Sequence, residues 1–227
     1  TSTNQTGGAW KDKKQDYKDG FDILMISDLM KKVQEKKPFE HTVIMQEPLV
    51  FGVEQIDQSI VIRELADIAI NSEFVYVPGF SVLHEKTGQE IAKINGSSDP
   101  AQFWNEHYVI PMAKSAAEVV ARTGIWYDSP HGQNFLVELT KDLKPTGRIV
   151  LRDLGDIYIN KQVMEALGEK DVLTKFATKE SIKTSLSVHF GPLHGNIAPS
   201  WINSAVYKSY AKNFYEVFKN EYYRRTG

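Results

Sequence analysis

The segment from His131 to Asp153 constrains the fold more than any other part of this chain. An apolar run at 135–139 is followed by a polar stretch with Pro145 and Gly147, then by a second apolar run at 149–151. Two such runs flanking a turn read as a β-hairpin. A hairpin brings the start of its first strand beside the end of its second. Here His131-Gly132-Gln133-Asn134 opens the first strand and Arg152-Asp153 closes the second, 22 positions after His131. If Leu139 faces Arg148 across the turn, the same register sets Asn134 opposite Asp153. Directly opposed residues lie about 4.5–5.5 Å apart at Cα and point to one face. An amide oxygen and a carboxylate held that way would seat a hard cation such as Mg²⁺ and leave room for phosphate oxygens. A slip of one residue would send the two side chains to opposite faces. Each of these polar residues alone reads as a turn former or capped surface group. A His, two amides, an Arg and an Asp gathered at one end of an apolar hairpin read instead as a candidate site.

The same residues carry a resemblance. Trp104 opens a helical stretch that runs to Arg122 and Gly124. His131, Gly132, Gln133 and Asn134 then lead into Phe135, Leu136 and Val137, and Ile149, Val150 and Leu151 lead into Arg152 and Asp153. In order and spacing this resembles the siderophore synthetases that work without a nonribosomal peptide synthetase, the aerobactin-synthetase-like family. Glu47-Pro48, after an apolar strand, is similar to that family's E-P element. Family members are much longer and carry a T-S-x-x-R phosphate-binding loop in their N-terminal half. Thr1-Ser2 matches the start of that loop, and Gln5 stands where the Arg would be. The chain therefore resembles the C-terminal portion of such an enzyme.

The resemblance implies ATP- and Mg²⁺-dependent condensation of citrate or a similar polycarboxylate with an amine or hydroxylamine. The carboxylate attacks the α-phosphorus, pyrophosphate leaves, and the amine takes the acyl group from the adenylate. Such a site must hold cations and donors where phosphate charge builds. Asp153 with Asn134 would hold Mg²⁺. Arg152 would bond a phosphate through its planar fork or pair with a buried carboxylate. Gln133 would bond ATP. His131 would orient a phosphate or the acyl carboxylate, with general-base work on the amine as the alternative. Glu47 would belong to the same cleft. With the loop Arg replaced, the isolated chain is expected to bind ATP weakly without full turnover.

Composition fits a globular chain. The 227 residues allow one large domain or one and a half small ones, and 41% hydrophobic content with 11% aromatics supplies a sizeable core. A net charge of −2 gives no strong field toward nucleic acid or anionic membrane. With no cysteine, disulfides, thiol nucleophiles and Cys-type zinc sites are excluded. No stretch approaches a membrane span and no signal-peptide core is evident, so a cytoplasmic home is expected. Oligomeric state is left open, a homodimer included.

Along the chain, residues 1–20 are polar and read as a flexible lead-in, with one domain over 21–227. Helical spacing marks 23–33. Strands are expected at 42–45 and 59–65. An antiparallel meander is expected at 73–77, 81–84 and 90–94, with turns at Pro78-Gly79 and Thr87-Gly88. Ser97-Ser98-Asp99-Pro100 is a helix start, and that helix should stop at Gly124. After the motif hairpin the chain should turn helical. The fold class expected is α+β: an antiparallel sheet of meander and hairpin, packed helices and a helical C-terminal part.

Other features have structural readings. His189 and His194 flank Gly191-Pro192 at a spacing that places no metal pair on a helix face. Tyr207, Tyr210, Phe214, Phe218 and Tyr222 form a packing stripe, with Lys208, Lys212, Lys219, Arg224 and Arg225 on a solvated face. Trp126 and Tyr127 either stack on an adenine or are buried beside the hairpin. Two other functional classes compete with the ligase. An Asn followed by a metal-binding Asp on adjacent strands also describes kinase-like phosphotransferases, and Asp153-Leu154-Gly155 is one substitution from D-F-G. A non-catalytic module kept for folding or dimerisation is the third.

Overall fold

Apolar residues three and four apart build the first helix, α1 (Tyr17–Lys36), which buries Ile23, Ile26, Leu29, Met30 and Val33. The computed structural model describes residues 2–6, 9–13, 16–64, 73–127, 132, 134–155, 157–176 and 198–227. Helix α1 starts inside the stretch expected to lead in, and β1 (Ser2–Thr6) pairs antiparallel with β2 (Ala9–Lys13) before it. Next come β3 (Thr42–Ile44) and the ribbon of β4 (Leu49–Val53) and β5 (Gln58–Ile62), joined by a 3₁₀ turn.

Strand β6 (Phe74–Pro78) forms where the meander was expected to begin, but 81–84 and 90–94 are not strands. The chain turns at Gly79 into the short helix α2 (Gly79–Val82) and then into α3 (Glu85–Ile94). Gly88, Ile91 and Ala92 lie at steps of three and one and share one buried helical face, which prevails over the short apolar alternation read from sequence. The next start is as expected. The Asp99 carboxylate accepts from the Gln102 N–H at 3.0 Å, Pro100 sits in the first turn, and α4 (Pro100–Trp104) follows. A π turn at Asn105–Val109 passes into α5 (Ile110–Thr123), which ends at Gly124 in the left-handed conformation, φ 67°. Strands β7 (Ile125–Tyr127), β8 (Phe135–Thr140), β9 (Pro145–Leu151) and β10 (Ile157–Ile159) come next. Helices α6 (Lys161–Leu167), α7 (Lys170–Lys175) and α8 (Ser204–Thr226) complete the chain. None of these helices is long and apolar enough to cross a membrane.

The fold is α+β with a helical C-terminal part, as read from the sequence. The central sheet has the order β3-β9-β8-β6. Strands β9, β8 and β6 are antiparallel, while β3 joins β9 in parallel. Phe135, Val137, Leu139, Ile149 and Leu151 face the main core, packed against α1, α5 and α8. Leu136 and Val150 face the other side with Met45. Tyr210, Phe214 and Phe218 of the C-terminal stripe are buried as expected.

The motif hairpin forms, in a different register from the one assumed. Phe135 pairs with Leu151 and Val137 with Ile149, but Leu139 pairs with Pro145. The turn lies earlier than expected: the Thr140 N–H donates to the Lys144 carbonyl at 2.8 Å, and Leu143 takes φ 63°. Pro145 and Gly147 therefore belong to β9, Pro145 as its first residue, where its missing N–H is tolerated. A bulge, with Gly147 at φ 84°, absorbs the extra residues. Glu138, fully buried at the bulge, holds Arg148 at 2.7 and 2.9 Å and accepts from Thr146 at 2.8 Å.

A second buried carboxylate fixes the start of β3. Glu118 of α5 accepts from the backbone N–H groups of Glu40 and His41 at 2.7 and 2.8 Å and from the Thr42 hydroxyl at 3.2 Å. Arg225 of α8 pairs with it at 3.2 Å. Arg225 thus lies in an ion network rather than on a solvated face. Glu40, His41 and Glu221 also converge there, neutralised by Arg224 and Arg225. Removing one member of a buried charge network leaves the rest uncompensated. Glu118→Ala is expected to destabilise the chain by about 3–5 kcal/mol, read as a lower urea midpoint at unchanged slope.

Candidate functional site

The parallel pairing of β3 with β9 builds the candidate site. Thr42, Val43 and Ile44 pair with Ile149, Val150 and Leu151, and the Met45 N–H extends the ladder to the Leu151 carbonyl at 2.9 Å. Carried two residues further, the same register brings Glu47 beside Leu154, whose N–H donates to Glu47 Oε2 at 3.3 Å. Ser27 of α1 fixes this segment by accepting from the Glu47 N–H at 2.7 Å and donating to Gln46 Oε1 at 3.0 Å.

Glu47 is fully buried, and its partner is Arg63, just after β5, with Nε 2.6 Å from Oε1. The Glu64 N–H, donating to the Gln46 carbonyl at 2.8 Å, holds that stretch in place. Arg63 also reaches Asp153, Nη2 to Oδ1 at 3.5 Å. Two carboxylates 106 positions apart in sequence thus converge on one guanidinium. Burial pushes the Glu47 carboxyl up from its ordinary range. The Arg63 hydrogen bond and charge and the Leu154 N–H oppose the rise, and the Asp153 charge adds to it.

Asn134 lies opposite Arg152 rather than Asp153: the Arg152 N–H donates to the Asn134 carbonyl at 3.2 Å. The bulge and the early turn shift the register by one residue. By strand alternation Asn134 and Arg152 fall on the face of Leu136 and Val150. Asp153 leaves the strand with φ 65°, a left-handed conformation that Asn and Asp adopt more readily than other non-glycine residues. That backbone turn ends the ladder and directs the carboxylate to Arg63. Strained backbone of this kind recurs where a side chain must be aimed.

Arg152 is half-buried, and its guanidinium has no hydrogen-bond or ion-pair partner among the described residues. Burial lowers its pKa, the Arg63 charge adds to that, and Asp153 opposes it. A partly desolvated guanidinium beside a second cation is a ready acceptor of an anion. Tyr127, at the end of β7, is also buried, its ring 5.5 Å from Phe135 in an edge arrangement. Trp126 packs edge-on against Phe218. Of the two readings for this pair, burial is the observed one. Glu47 and Asp153 offer carboxylate oxygens alone, which suits a hard cation such as Mg²⁺, whereas Asn134, expected to share the ion with Asp153, is set opposite Arg152 instead.

His131 and Gln133 lie outside the described residues, as do His189 and His194. Between His131 and Gln133, Gly132 accepts from the Phe80 N–H at 3.3 Å, which ties the motif loop to α2. Beside it, a Cβ on Gly79 would clash with the Tyr108 hydroxyl of the π turn, so glycine is required there. Sequence reasoning missed Arg63. It stands after an unremarkable apolar strand, and only its meeting with Glu47 and Asp153 gives it a role.

No protein-family profile and no curated protein matches the sequence. Solved structures do match by fold. Over 93% of this chain the petrobactin biosynthesis protein AsbB of Bacillus anthracis str. Sterne superposes with a TM-score of 0.63 at 12% identity. ATP-bound aerobactin synthetase IucA of a hypervirulent Klebsiella pneumoniae pathotype gives 0.62 at 13% over 95%, and aerobactin synthetase IucC of the same source 0.58 at 13% over 89%. The chain spans 39%, 43% and 39% of those proteins. The likeness shows a shared fold with siderophore synthetases.

The raised Glu47 pKa has a sign. The folded chain keeps this proton above pH 4.5, where the unfolded chain releases it. Between that value and the raised one the native state binds more protons, so this contribution to stability is full at low pH and is lost as pH rises through the window. Glu47→Gln is expected to flatten that part of the curve of stability against pH, measured by chemical denaturation from pH 4 to 8. An unchanged curve would remove the burial argument.

Proposed function

We propose that this chain carries part of the ATP site of a siderophore-synthetase-like ligase, which joins a citrate-like polycarboxylate to an amine or hydroxylamine through an acyl-adenylate. The observation that carries the reading is Arg152: a half-buried guanidinium without a partner among the described residues, beside Arg63 and Asp153 at the end of the motif hairpin. The shared fold with siderophore synthetases, one of them ATP-bound, supports it.

In this reading Arg152 takes a phosphate oxygen through its planar fork and offsets charge as it builds. Asp153 and Glu47 would hold Mg²⁺, and Asn134, opposite Arg152, would not share it. Such an ion would supply charge to offset that on the phosphate oxygens. Gln133 bonds the nucleotide, and His131 orients a phosphate or the acyl carboxylate. A carboxylate oxygen of the acid attacks the α-phosphorus and pyrophosphate leaves. The amine nitrogen then attacks the acyl carbon, loses its proton and displaces AMP. A cation held there would share Asp153 with Arg63, which reaches its Oδ1 at 3.5 Å. The reaction belongs in the cytoplasm, where ATP is supplied.

The test combines binding with product analysis. Calorimetry should show Mg²⁺-dependent ATP binding, and Asp153→Asn should weaken it at least about 10-fold. Asn is the chosen replacement because it keeps the left-handed backbone and removes only the charge. Its melting temperature should stay close to that of the parent. ATP binding indifferent to Mg²⁺ or to this change would remove the assigned role. With citrate and a diamine, pyrophosphate and AMP mark the ligase, ADP marks a phosphotransferase, and neither marks a chain that binds without turnover.

A further inference from the structure

The ribbon of β4 and β5 turns an apolar face to solvent. Successive residues of a strand point to opposite faces. On the inner face Val50, Gly52 and Ser59 lie against α1: a Cβ on Gly20 would clash with Ser59 and Val50, and one on Gly52 with the Tyr17 ring. Ser59 also donates to the Asp16 carbonyl at 2.7 Å. The outer face carries Leu49 opposite Ile62, Phe51 opposite Ile60 and Val53 opposite Gln58. Leu49, Phe51 and Ile60 are 54%, 62% and 63% exposed, and Val53, Ile62 and Ile56 at the tip are exposed with them. An antiparallel pair with one solvated face ordinarily puts polar residues there. Here no charged side chain stands on the outer face. Glu54 and Asp57 lie at the tip, and Arg63 and Glu64 follow the second strand at the base. The exposed apolar side chains present on the order of 600 Å², the upper end for one apolar patch on a monomer and close to the area each partner brings to a standard interface.

We infer that this face is where two copies of the chain meet, ribbon against ribbon about a two-fold axis. A face without charge is complementary to itself, because pairing it with its own copy opposes no like charges and buries none unpaired. Phe51 is the anchor, an aromatic residue at the middle of β4 and of the patch. Charge at the two ends sets the direction. Tip against tip would bring Glu54 and Asp57 of one copy beside those of the other, and like charges so placed disfavour the pairing. Tip against base avoids this and centres the axis on Phe51. Glu47 precedes β4 and Arg63 follows β5, so packing of the ribbon also braces that ion pair. Pairing of this kind is independent of the ligase reading.

Sedimentation velocity of the whole chain over a concentration series should show a monomer–dimer equilibrium in the micromolar range. The double variant Phe51→Ser/Ile60→Ser should raise the dissociation constant at least about 10-fold. Its melting temperature at high dilution should match that of the parent, since both side chains point away from α1. Ile94→Ser, at an exposed apolar residue of α3, should leave the dimer unchanged. Cross-linking gives a second measurement that the serine variants do not enter. The chain has no cysteine, so Phe51→Cys adds a single thiol, and mild oxidation should join two copies through a disulfide. Ile56→Cys should not link, because each tip then lies over the partner's base. A parent that stays monomeric throughout overturns the inference, the face then serving another polypeptide or none. A dimer indifferent to the double variant also overturns it, since the copies then meet elsewhere. So does assembly that grows past the dimer, because a two-fold pairing closes. A link through Ile56→Cys in place of Phe51→Cys overturns it as well.

Discussion

The parallel pairing of β3 with β9 is the constraint on which the rest of the site depends. A three-residue strand contributes few hydrogen bonds of its own, so its position has to be fixed from both ends. Glu118 fixes the start by gathering two backbone N–H groups and a hydroxyl, and the Met45 and Glu47 contacts fix the end. Between those anchors the register is set, and the register decides which residues face Asp153. A shift of one residue along β9 would turn every β3 side chain to the opposite face and carry Glu47 away from Leu154.

Charge placement follows from that register. Buried carboxylates recur at the joints of this structure: Glu118 at the entry to β3, Glu138 at the hairpin bulge and Glu47 at the site. Each is met by an arginine, Arg225, Arg148 and Arg63 respectively. Glu118 and Glu138 are satisfied by several donors and hold the frame. Glu47 differs in having one side-chain donor, Arg63, and one backbone donor, the Leu154 N–H, with Arg63 reaching on to Asp153.

Much of the frame was legible in the sequence. Apolar spacing located α1 and the stripe on α8, and Asp99-Pro100 and Gly124 marked where the long helical stretch starts and stops. The motif hairpin was legible because two apolar runs flank a turn. Its register was not. Pro145 and Gly147 read as the turn, but Leu143 with its positive φ makes it, and Gly147 serves the bulge. Turn chemistry alone could not tell these apart, since Lys141 to Gly147 offers several residues fit for either role. The short helices α2 and α3 were mistaken for strands for a related reason: runs of four or five residues carry too little periodicity to choose between a step of two and a step of 3.6.

By itself the sequence determined which residues could do chemistry and in what local setting: a His, two amides, an Arg and an Asp at one end of an apolar hairpin, with a Glu-Pro element far upstream. These are properties of neighbours along the chain, set by periodicity, turn residues and side-chain type. Only the tertiary structure decided which of them meet. Glu47 joins Asp153 across 106 positions, Arg63 enters between them, and Asn134 faces Arg152 instead of Asp153. The physical reason is that strand pairing and burial act between segments distant in sequence. The free energy that selects one register over its neighbours comes from packing of the whole core on both faces of the sheet, which no local pattern encodes.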